Sequence, residues 1–340
     1  MRATRRLACV LFLCLVSAKS WAWQDPISDQ DRKVQQLEMS GALDQLEAMA
    51  AELRKTDARF VGSNSKLYHF YLVLGEAAAP AGSCKCAGSQ SGPTFEEKEP
   101  ILKRWLTEHP RSIAARLALG QLFITHAWHA RGVGYADKVT AEQWKLFRDR
   151  LEIARSYLDG LDPKDDPMVY SEYLDMAQYL DSSRAAIDRV YAAATRDYPR
   201  FFHFYADRAD VLQEKWFGRP GELTEFAQSL LSAPGGDDGQ VAYTYVAGRL
   251  STQYTCKQEL EEVGLKWPLL REAYRTRDRL YGLRSFDLNL LLSCAIAARD
   301  FGFAKQLAPR IAEDEWAPTV WGTKADFDAN IAWIRKWSER

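Results

Sequence analysis

Six residues at the end of the most apolar predicted helix could bind a metal ion or a polar ligand. We call them the exit cluster: His126, Trp128, His129, Arg131, Tyr135 and Asp137. His126 and His129 are three residues apart, so on a helix both imidazoles lie on one face and could reach one ion. Zinc needs a third ligand, which Asp137 could provide, but the chain has no HExxH or similar extended motif. The pattern favours polar side chains at a helix end, and we expect no catalytic residue, metal or cofactor.

Arg131, Tyr135 and Asp137 admit two interpretations. In the structural one, Arg131 pairs with Asp137 above a packed Tyr135, which fastens the glycine-rich segment after the helix. In the functional one, Arg131 receives a partner's carboxylate or the chain end of a peptide, and Trp128 and Tyr135 form the walls. The structural interpretation is favoured, and both can hold at once. The exit cluster is therefore the predicted place to look for partner binding.

The helix that must position this cluster begins at Ile113. The first sixteen residues of the stretch from Ile113 to Val139 are apolar almost all round, and only four of them are polar: Arg116, Gln121, Thr125 and His126. Such a pattern is typical of a helix buried at the centre of a helical layer. Thr140 and Gln143 then form a predicted capping box for the next helix.

Helical periodicity continues through the rest of the chain. After a predicted break at the GGDDG segment, helices are predicted over 240–255, 267–281, 286–300, 303–313 and 325–338. No alternating strand pattern is longer than four residues. Helices that end at His109-Pro110 and Tyr198-Pro199 are each followed by an apolar or aromatic helix. These features predict an all-α fold, a right-handed α-α solenoid of degenerate tetratricopeptide-like helix pairs.

Aromatic residues are abundant, and most are expected in the core. Phe201, Phe202, His203 and Tyr205 are close neighbours in sequence and are not all expected to point inward. Some of them are therefore expected to line a concave surface.

A segment around the exit cluster resembles a known family. The phrase Ala127-Trp128-x-Ala130-Arg131-Gly132-x-Gly134-Tyr135-Ala136, with Trp144 and Phe147 on the helix behind it, resembles a bacterial helical family called domain of unknown function 4034. The resemblance covers roughly residues 35 to 310 and is fairly specific over 108 to 150. It implies a tetratricopeptide-like array and brings no established activity, catalytic residue or cofactor.

The amino-terminal sequence predicts export. Residues 1–22 combine three arginines, an apolar run from Leu7 to Val16 and the small residues Ser20 and Ala22, as in a cleavable signal peptide. An apolar run of ten residues is too short to span a bilayer, and no later segment is suited to stable membrane insertion. We therefore expect a periplasmic or secreted protein whose mature chain begins near residue 23.

The mature chain is expected to contain N-terminal helix pairs over 23–77, a flexible loop over 78–95, a helical-repeat region over 96–313 and a C-terminal helix over 314–340. Four cysteines follow the leader. In an oxidising compartment, Cys84, Cys86 and Cys256 are the disulfide candidates, and their pairing is left open. A redox role for Cys84 and Cys86 is the less favoured alternative to a staple. Cys294 is expected to be a buried side chain in an apolar helix.

Charge argues against nucleic-acid binding. Removal of the leader takes away four basic residues and no acid, which leaves a net charge of about −5. A protein that binds a phosphate backbone usually carries a basic excess. The sequence thus predicts a helical-repeat module that binds another protein or a peptide. The alternatives are an enzyme with a His126/His129/Asp137 metal or acid–base site, and an inhibitor or immunity-type partner of another exported protein.

Overall fold

The computed structural model describes residues 29–79, 92–132, 136–177, 179–180, 183–214, 216–253 and 265–337. Within these ranges the chain is all-helical and has no strand. The α-helices are α1 (Asp29–Ser40), α2 (Leu43–Thr56), α3 (Lys66–Gly75), α4 (Phe95–Glu108), α5 (Ile113–Arg131), α6 (Ala141–Leu158), α7 (Pro167–Ala177), α8 (Arg184–Asp197), α9 (His203–Val211), α10 (Glu222–Ser229), α11 (Gly236–Gln253), α12 (Trp267–Tyr281), α13 (Ser285–Ala297), α14 (Phe301–Leu307), α15 (Pro318–Trp321) and α16 (Lys324–Trp337). The predicted all-α solenoid is confirmed, and its handedness stays a prediction.

Alternate helices form one layer. Helices α3, α5, α7, α9 and α11 pack side by side in this order, and we call them the inner layer. The intervening helices pack against this inner layer; they are α4, α6, α8, α10 and α12. One hydrophobic core covers α1 to α9, and a second covers α9 to α16.

Helix α5 is buried at the centre of the first core, as its apolar sequence predicts. Twelve of its nineteen residues are buried, and it packs on α3, α4, α6 and α7. Glycines stand where neighbouring helices approach it most closely. A Cβ at Gly75 would meet Gln121, and a Cβ at Gly120 would meet Glu172 and Leu158. Small residues therefore let α3 and α7 pack directly against α5.

Local signals fix many of the helix ends. The predicted capping box is confirmed, because the Gln143 amide donates to Thr140 Oγ1 at 3.2 Å and the Thr140 amide donates to Gln143 Oε1 at 2.9 Å. Helix α4 ends directly before His109, and α12 spans the predicted residues 267–281. Three predictions were wrong in part. The GGDDG segment, residues 235–239, interrupts the helices only at its first residue, because α11 begins at Gly236. Helix α14 ends at Leu307, before a 3-10 turn, and does not continue to residue 313. Helix α15 was not predicted.

The segment between α2 and α3 closes the array on itself. Arg277 Nε of α12 donates to the Gly62 carbonyl at 3.0 Å, and the Gly62 amide donates to the Tyr281 carbonyl at 3.0 Å. Arg59 Nη2 donates to the Arg200 carbonyl at 2.7 Å. In an open solenoid each repeat contacts only its neighbours. Here residues 215 positions apart are bonded, so the inner layer curls until its first helix approaches its last.

The leader, residues 80–91 with Cys84 and Cys86, and the segment with Cys256 all lie outside the described residues. The two described ends of the predicted loop are joined by a hydrogen bond, because the Ala78 amide donates to the Pro93 carbonyl at 2.8 Å. Cys294 is buried in α13, as predicted. None of the helices in the described ranges has the length and apolar character that a membrane crossing requires.

Candidate functional site

Arg131 of the exit cluster is a packing residue at the end of α5. Its side chain is buried, and its guanidinium carbon lies 5.4 Å from the Trp128 ring centroid and 5.1 Å from that of Trp144. Nη1 donates to the Gly132 carbonyl at 3.0 Å. Burial lowers the pKa of Arg131, and Tyr179 opposes this effect. A guanidinium packed against two indole rings stabilises the end of the helix through cation–π contacts.

Asp137 does not pair with Arg131, so the predicted ion pair between them is wrong. Asp137 lies on a 3-10 turn, its side chain is 68% exposed, and it pairs with Lys138 at 3.3 Å. The short turn after the glycines carries Asp137 to the surface, whereas Arg131 stays in the core. Trp128 packs edge-on against Phe147 at a centroid distance of 5.1 Å. Tyr135 lies outside the described residues.

The two histidines pack between helices. The His126 ring stacks on Phe95 at a centroid distance of 3.6 Å, and Arg150 Nη1 of α6 donates to the His126 carbonyl at 2.6 Å. Burial, followed by the Arg150 charge and His129, lowers the pKa of His126 to about 4, although Glu96 opposes this shift. Burial and then Arg150 also lower the pKa of His129. Both imidazoles are therefore neutral at pH 7, beside a fixed guanidinium cation that would repel a metal ion.

The structure does not bring His126, His129 and Asp137 together. Across the ranges that the structure describes, no group of three His, Cys, Asp or Glu side chains is placed to hold a metal ion. The exit cluster divides into a buried anchor, two packed histidines and an exposed carboxylate. Its described members therefore do not share one face, and its role as a partner-binding site stays a prediction.

A different set of side chains does converge, inside the curled inner layer. We call it the inner cluster, and its members come from α3, α7, α9 and α11: Tyr68, Ser171, His203, Asp207, Asp210, Tyr245 and Arg249. Four helices of one layer can meet in this way only because the layer curls. The cluster combines two carboxylates, one guanidinium, an imidazole and three hydroxyl groups.

The most deeply buried part of the inner cluster is a hydroxyl–carboxylate pair. Ser171 Oγ donates to Asp207 Oδ2 at 3.0 Å. Ser171 is 0% exposed and Asp207 5% exposed. A carboxylate that is buried this far loses most of its hydration, so hydrogen bonds and positive charges near it gain strength. This pair forms the floor of the cluster.

The opposite side of the inner cluster is reached by solvent. Arg249 Nη2 lies 3.3 Å from Asp210 Oδ2, and the two side chains are 20% and 31% exposed. Gln213 Nε2 donates to the other oxygen of Asp210 at 3.0 Å. Asp210 is thus held by a cation and an amide. The cluster therefore runs from a closed floor to a partly open rim.

Aromatic rings form the walls. The Tyr68 and His203 rings stack with 3.6 Å between centroids and 9° between planes. The Tyr245 ring stands edge-on to His203 at 5.4 Å and 85°. Tyr245 is held from behind, because its hydroxyl donates to Asn64 Oδ1 at 3.1 Å. The segment that closes the array therefore also positions one wall of the inner cluster.

Tyr68 contributes a buried phenol to the cluster. It is 7% exposed. Burial raises the pKa of Tyr68; Asp207 and Asp210 raise it further, and Arg249 lowers it. The phenol is therefore neutral at pH 7. It can donate one hydrogen bond and accept another.

Sequence reasoning missed this cluster, although part of its signal is local. His203, Asp207 and Asp210 follow an i, i+4, i+7 spacing, which places them on one face of α9, and Tyr245 and Arg249 are four apart on α11. The aromatic run gave a partial indication. Phe201, Phe202 and Tyr205 of this run are buried. The segment between α2 and α3 covers the side of the inner layer that would be exposed in an open array. The histidine in that run belongs to the inner cluster.

Comparison with known proteins gives no relative from which a function could be transferred: no protein-family model, curated protein or solved structure matches the chain. The resemblance to domain of unknown function 4034 therefore stays a prediction.

Proposed function

We propose that this protein is an exported helical-repeat module that binds a peptide or a peptide segment of another protein, and that the inner cluster is its binding site. The observation that carries this proposal is the convergence of charged groups, hydroxyls and aromatic faces from four helices inside a curled layer. Helical arrays bind extended ligands on surfaces that their curvature creates. Aromatic walls around a few placed polar groups are typical of ligand sites.

The geometry supports binding more strongly than catalysis. A serine nucleophile must be accessible to its substrate, whereas Ser171 is 0% exposed at the floor of the cluster. His203 is stacked flat on Tyr68, in an orientation that suits packing. We therefore assign the polar groups of the inner cluster to ligand recognition.

Export is part of the same proposal and rests on residues 1–22. The basic residues, the short apolar run and the small residues before position 23 fit a cleavable signal peptide. Sequencing the amino terminus of the protein recovered from the periplasm or medium tests this part. A mature chain that starts near residue 23 supports it, and recovery of uncleaved protein from the cytoplasm alone contradicts it.

A displayed library of random peptides, selected against the mature chain, tests the binding function. Enriched peptides are then measured by fluorescence anisotropy against the wild type and a Tyr68→Phe, Tyr245→Ala double variant. We expect the double variant to bind at least tenfold more weakly, about 1.4 kcal/mol, because it loses one aromatic wall and the Tyr68 hydroxyl.

Tyr198→Phe is the matched control. Tyr198 donates to the Lys164 carbonyl at the end of α8, away from the inner cluster, so its removal should not change peptide affinity. Circular dichroism and thermal unfolding confirm that each variant is folded. Failure to enrich any peptide, or equal affinity of the double variant and the wild type, would refute the inner cluster as a peptide site.

A further inference from the structure

The floor of the inner cluster is closed to solvent. Ser171, Asp207 and Tyr68 are 0%, 5% and 7% exposed. Packed protein interiors contain few voids larger than a water molecule, so a peptide side chain cannot contact these groups unless neighbouring helices move apart. Binding at the inner cluster therefore requires the inner layer to open between two of its helices.

The contact between the first and the last helix of the inner layer differs from the others. Helix α3 packs on α5, α5 on α7, α7 on α9 and α9 on α11. In the described ranges α3 and α11 do not pack on each other in this way, and we call the line where they face each other the seam. Across the seam, the hydroxyl oxygens of Ser63 and Tyr245 lie 3.1 Å apart, and Tyr245 also donates to Asn64. These hydrogen bonds come from the segment that precedes α3, not from α3 itself.

This closing segment comprises residues 57–65, between α2 and α3, and its backbone is strained. Three non-glycine residues in the described chain have a positive φ, and two of them lie here: Asp57 at 40° and Ser63 at 69°. Such conformations persist only where surrounding contacts hold them. Val61, near the middle of the segment, is 58% exposed. The segment therefore keeps this form only while its anchoring contacts are made, and their release relaxes the strain.

Arg277 of α12 is an anchor of the closing segment. Its side chain is buried, Nε donates to the Gly62 carbonyl at 3.0 Å, and Nη1 donates to Thr244 Oγ1 at 3.3 Å. Its guanidinium carbon lies 5.2 Å from the Tyr245 ring centroid. One side chain thus binds the closing segment on one side of the seam and α11 on the other. Replacement of Arg277 should loosen the seam without removing any group of the inner cluster.

We propose that the closing segment is a latch: its release opens the seam between α3 and α11 and admits a peptide to the inner cluster, and its return closes the array over the bound peptide. This inference rests on the proposed peptide-binding function and adds the route of entry and the step that controls it. Only the open form binds in such a mechanism, so the association rate is proportional to the fraction of open molecules. Weakening the closing segment should therefore speed association.

Labelling of a buried thiol measures the opening without a peptide. Ser171→Cys places a thiol at the floor of the inner cluster, and peptide mass spectrometry after iodoacetamide treatment separates this site from the native cysteines. Labelling of a buried group tracks the population of the open form. We expect Arg277→Met to increase the labelling rate about tenfold or more, because it removes hydrogen bonds from a charged donor to the closing segment. If Arg277→Met does not fold, Asn64→Ala removes one hydrogen bond across the seam and should increase the rate about fivefold.

Urea separates local opening from global unfolding. Ala118→Cys places a second thiol in α5, at the centre of the first core, where the native side chain is 0% exposed. Release of the seam exposes little surface, so labelling of Ser171→Cys should depend only weakly on urea, whereas labelling of Ala118→Cys through global unfolding should rise steeply. Arg310→Met is the matched control variant, because Arg310 binds Asp278 of α12 at 2.5 and 2.8 Å and not the closing segment. It should leave labelling at residue 171 unchanged.

Peptide association tests the route of entry. In stopped-flow fluorescence, a labelled library-selected peptide should associate about tenfold or more faster with Arg277→Met than with the wild type, and Arg310→Met should behave like the wild type. Equal urea dependence of the two thiols, or a labelling rate at residue 171 that Arg277→Met does not change, overturns the latch and leaves the peptide-binding function standing. Latch-dependent labelling with an unchanged association rate overturns the route of entry. If no peptide is selected, the proposed function fails, and the role of the latch in admitting a peptide fails with it.

Discussion

A buried ion pair near the amino terminus should make the stability of this protein depend on pH in an unusual direction. Glu38 of α1 and Lys98 of α4 are 0% and 1% exposed, and Lys98 Nζ lies 3.1 Å from Glu38 Oε2. The same ammonium donates to the carbonyls of Val73 at 2.7 Å and Glu76 at 2.6 Å, at the end of α3. Lys98 thus connects three helices. Among the described residues, no backbone group donates a hydrogen bond to the Glu38 carboxyl group.

Burial raises the pKa of Glu38 from 4.5 to about 7, and the charge and hydrogen bond of Lys98 only partly offset this. Between these two values the folded protein keeps a proton on Glu38 that the unfolded chain has lost, so stability falls as pH rises. Applied to this window, the linkage relation gives a loss of about 2 kcal/mol between about pH 5 and about pH 7.5.

Glu38→Gln removes this titration and keeps an acceptor for Lys98. We expect the variant to gain about 2 kcal/mol relative to the wild type as pH rises from about 5 to about 7.5, measured by urea unfolding with tryptophan fluorescence. Glu38 raises the pKa of Lys98, which burial lowers, so the comparison is kept to this neutral and acidic range. The exposed Glu52→Gln on α2 is the matched control and should show no such gain. A constant difference between the variant and the wild type across this range would refute a raised pKa at Glu38.

Three further predictions concern the packing of the array. Arg131→Met should lower the free energy of unfolding by about 1–2 kcal/mol through the loss of two cation–π contacts; unchanged urea unfolding would contradict the anchor role. Gly120→Ala should cost about 1–3 kcal/mol because the added methyl meets side chains of two neighbouring helices, and an equally stable variant would show that these helices can move apart. Arg277→Met should speed amide hydrogen exchange over residues 59–64 more than in α5; a uniform change would argue against a closing segment.

Local signals in the sequence predicted the helices well. The structure confirms the almost uniformly apolar helix α5, the capping box at Thr140 and the helix end at His109. Each of these features depends on residues within a few positions of each other. Errors occurred where tertiary contacts decide. Gly236 begins α11 although glycine is a poor helix former, and Asp237 and Asp238 in the first turn favour a helix start there.

The candidate site depended on long-range contacts and was therefore predicted less well. The exit cluster is contiguous in sequence, but α6 brings Trp144 and Arg150 against it and turns its cationic and imidazole groups into packing groups. The inner cluster unites residues from 68 to 249, and its members meet only because the array closes. Arg277 and Gly62 make that closure and are 215 positions apart, so no local pattern could indicate it.

A crystal structure of the mature chain with a library-selected peptide tests the central claim most directly. The account predicts that the peptide lies in the inner cluster, in contact with the Tyr245 ring and with a polar group within hydrogen-bond distance, about 2.7–3.2 Å, of a side chain of the cluster. A peptide bound elsewhere, with the inner cluster unchanged from the free protein, would contradict it.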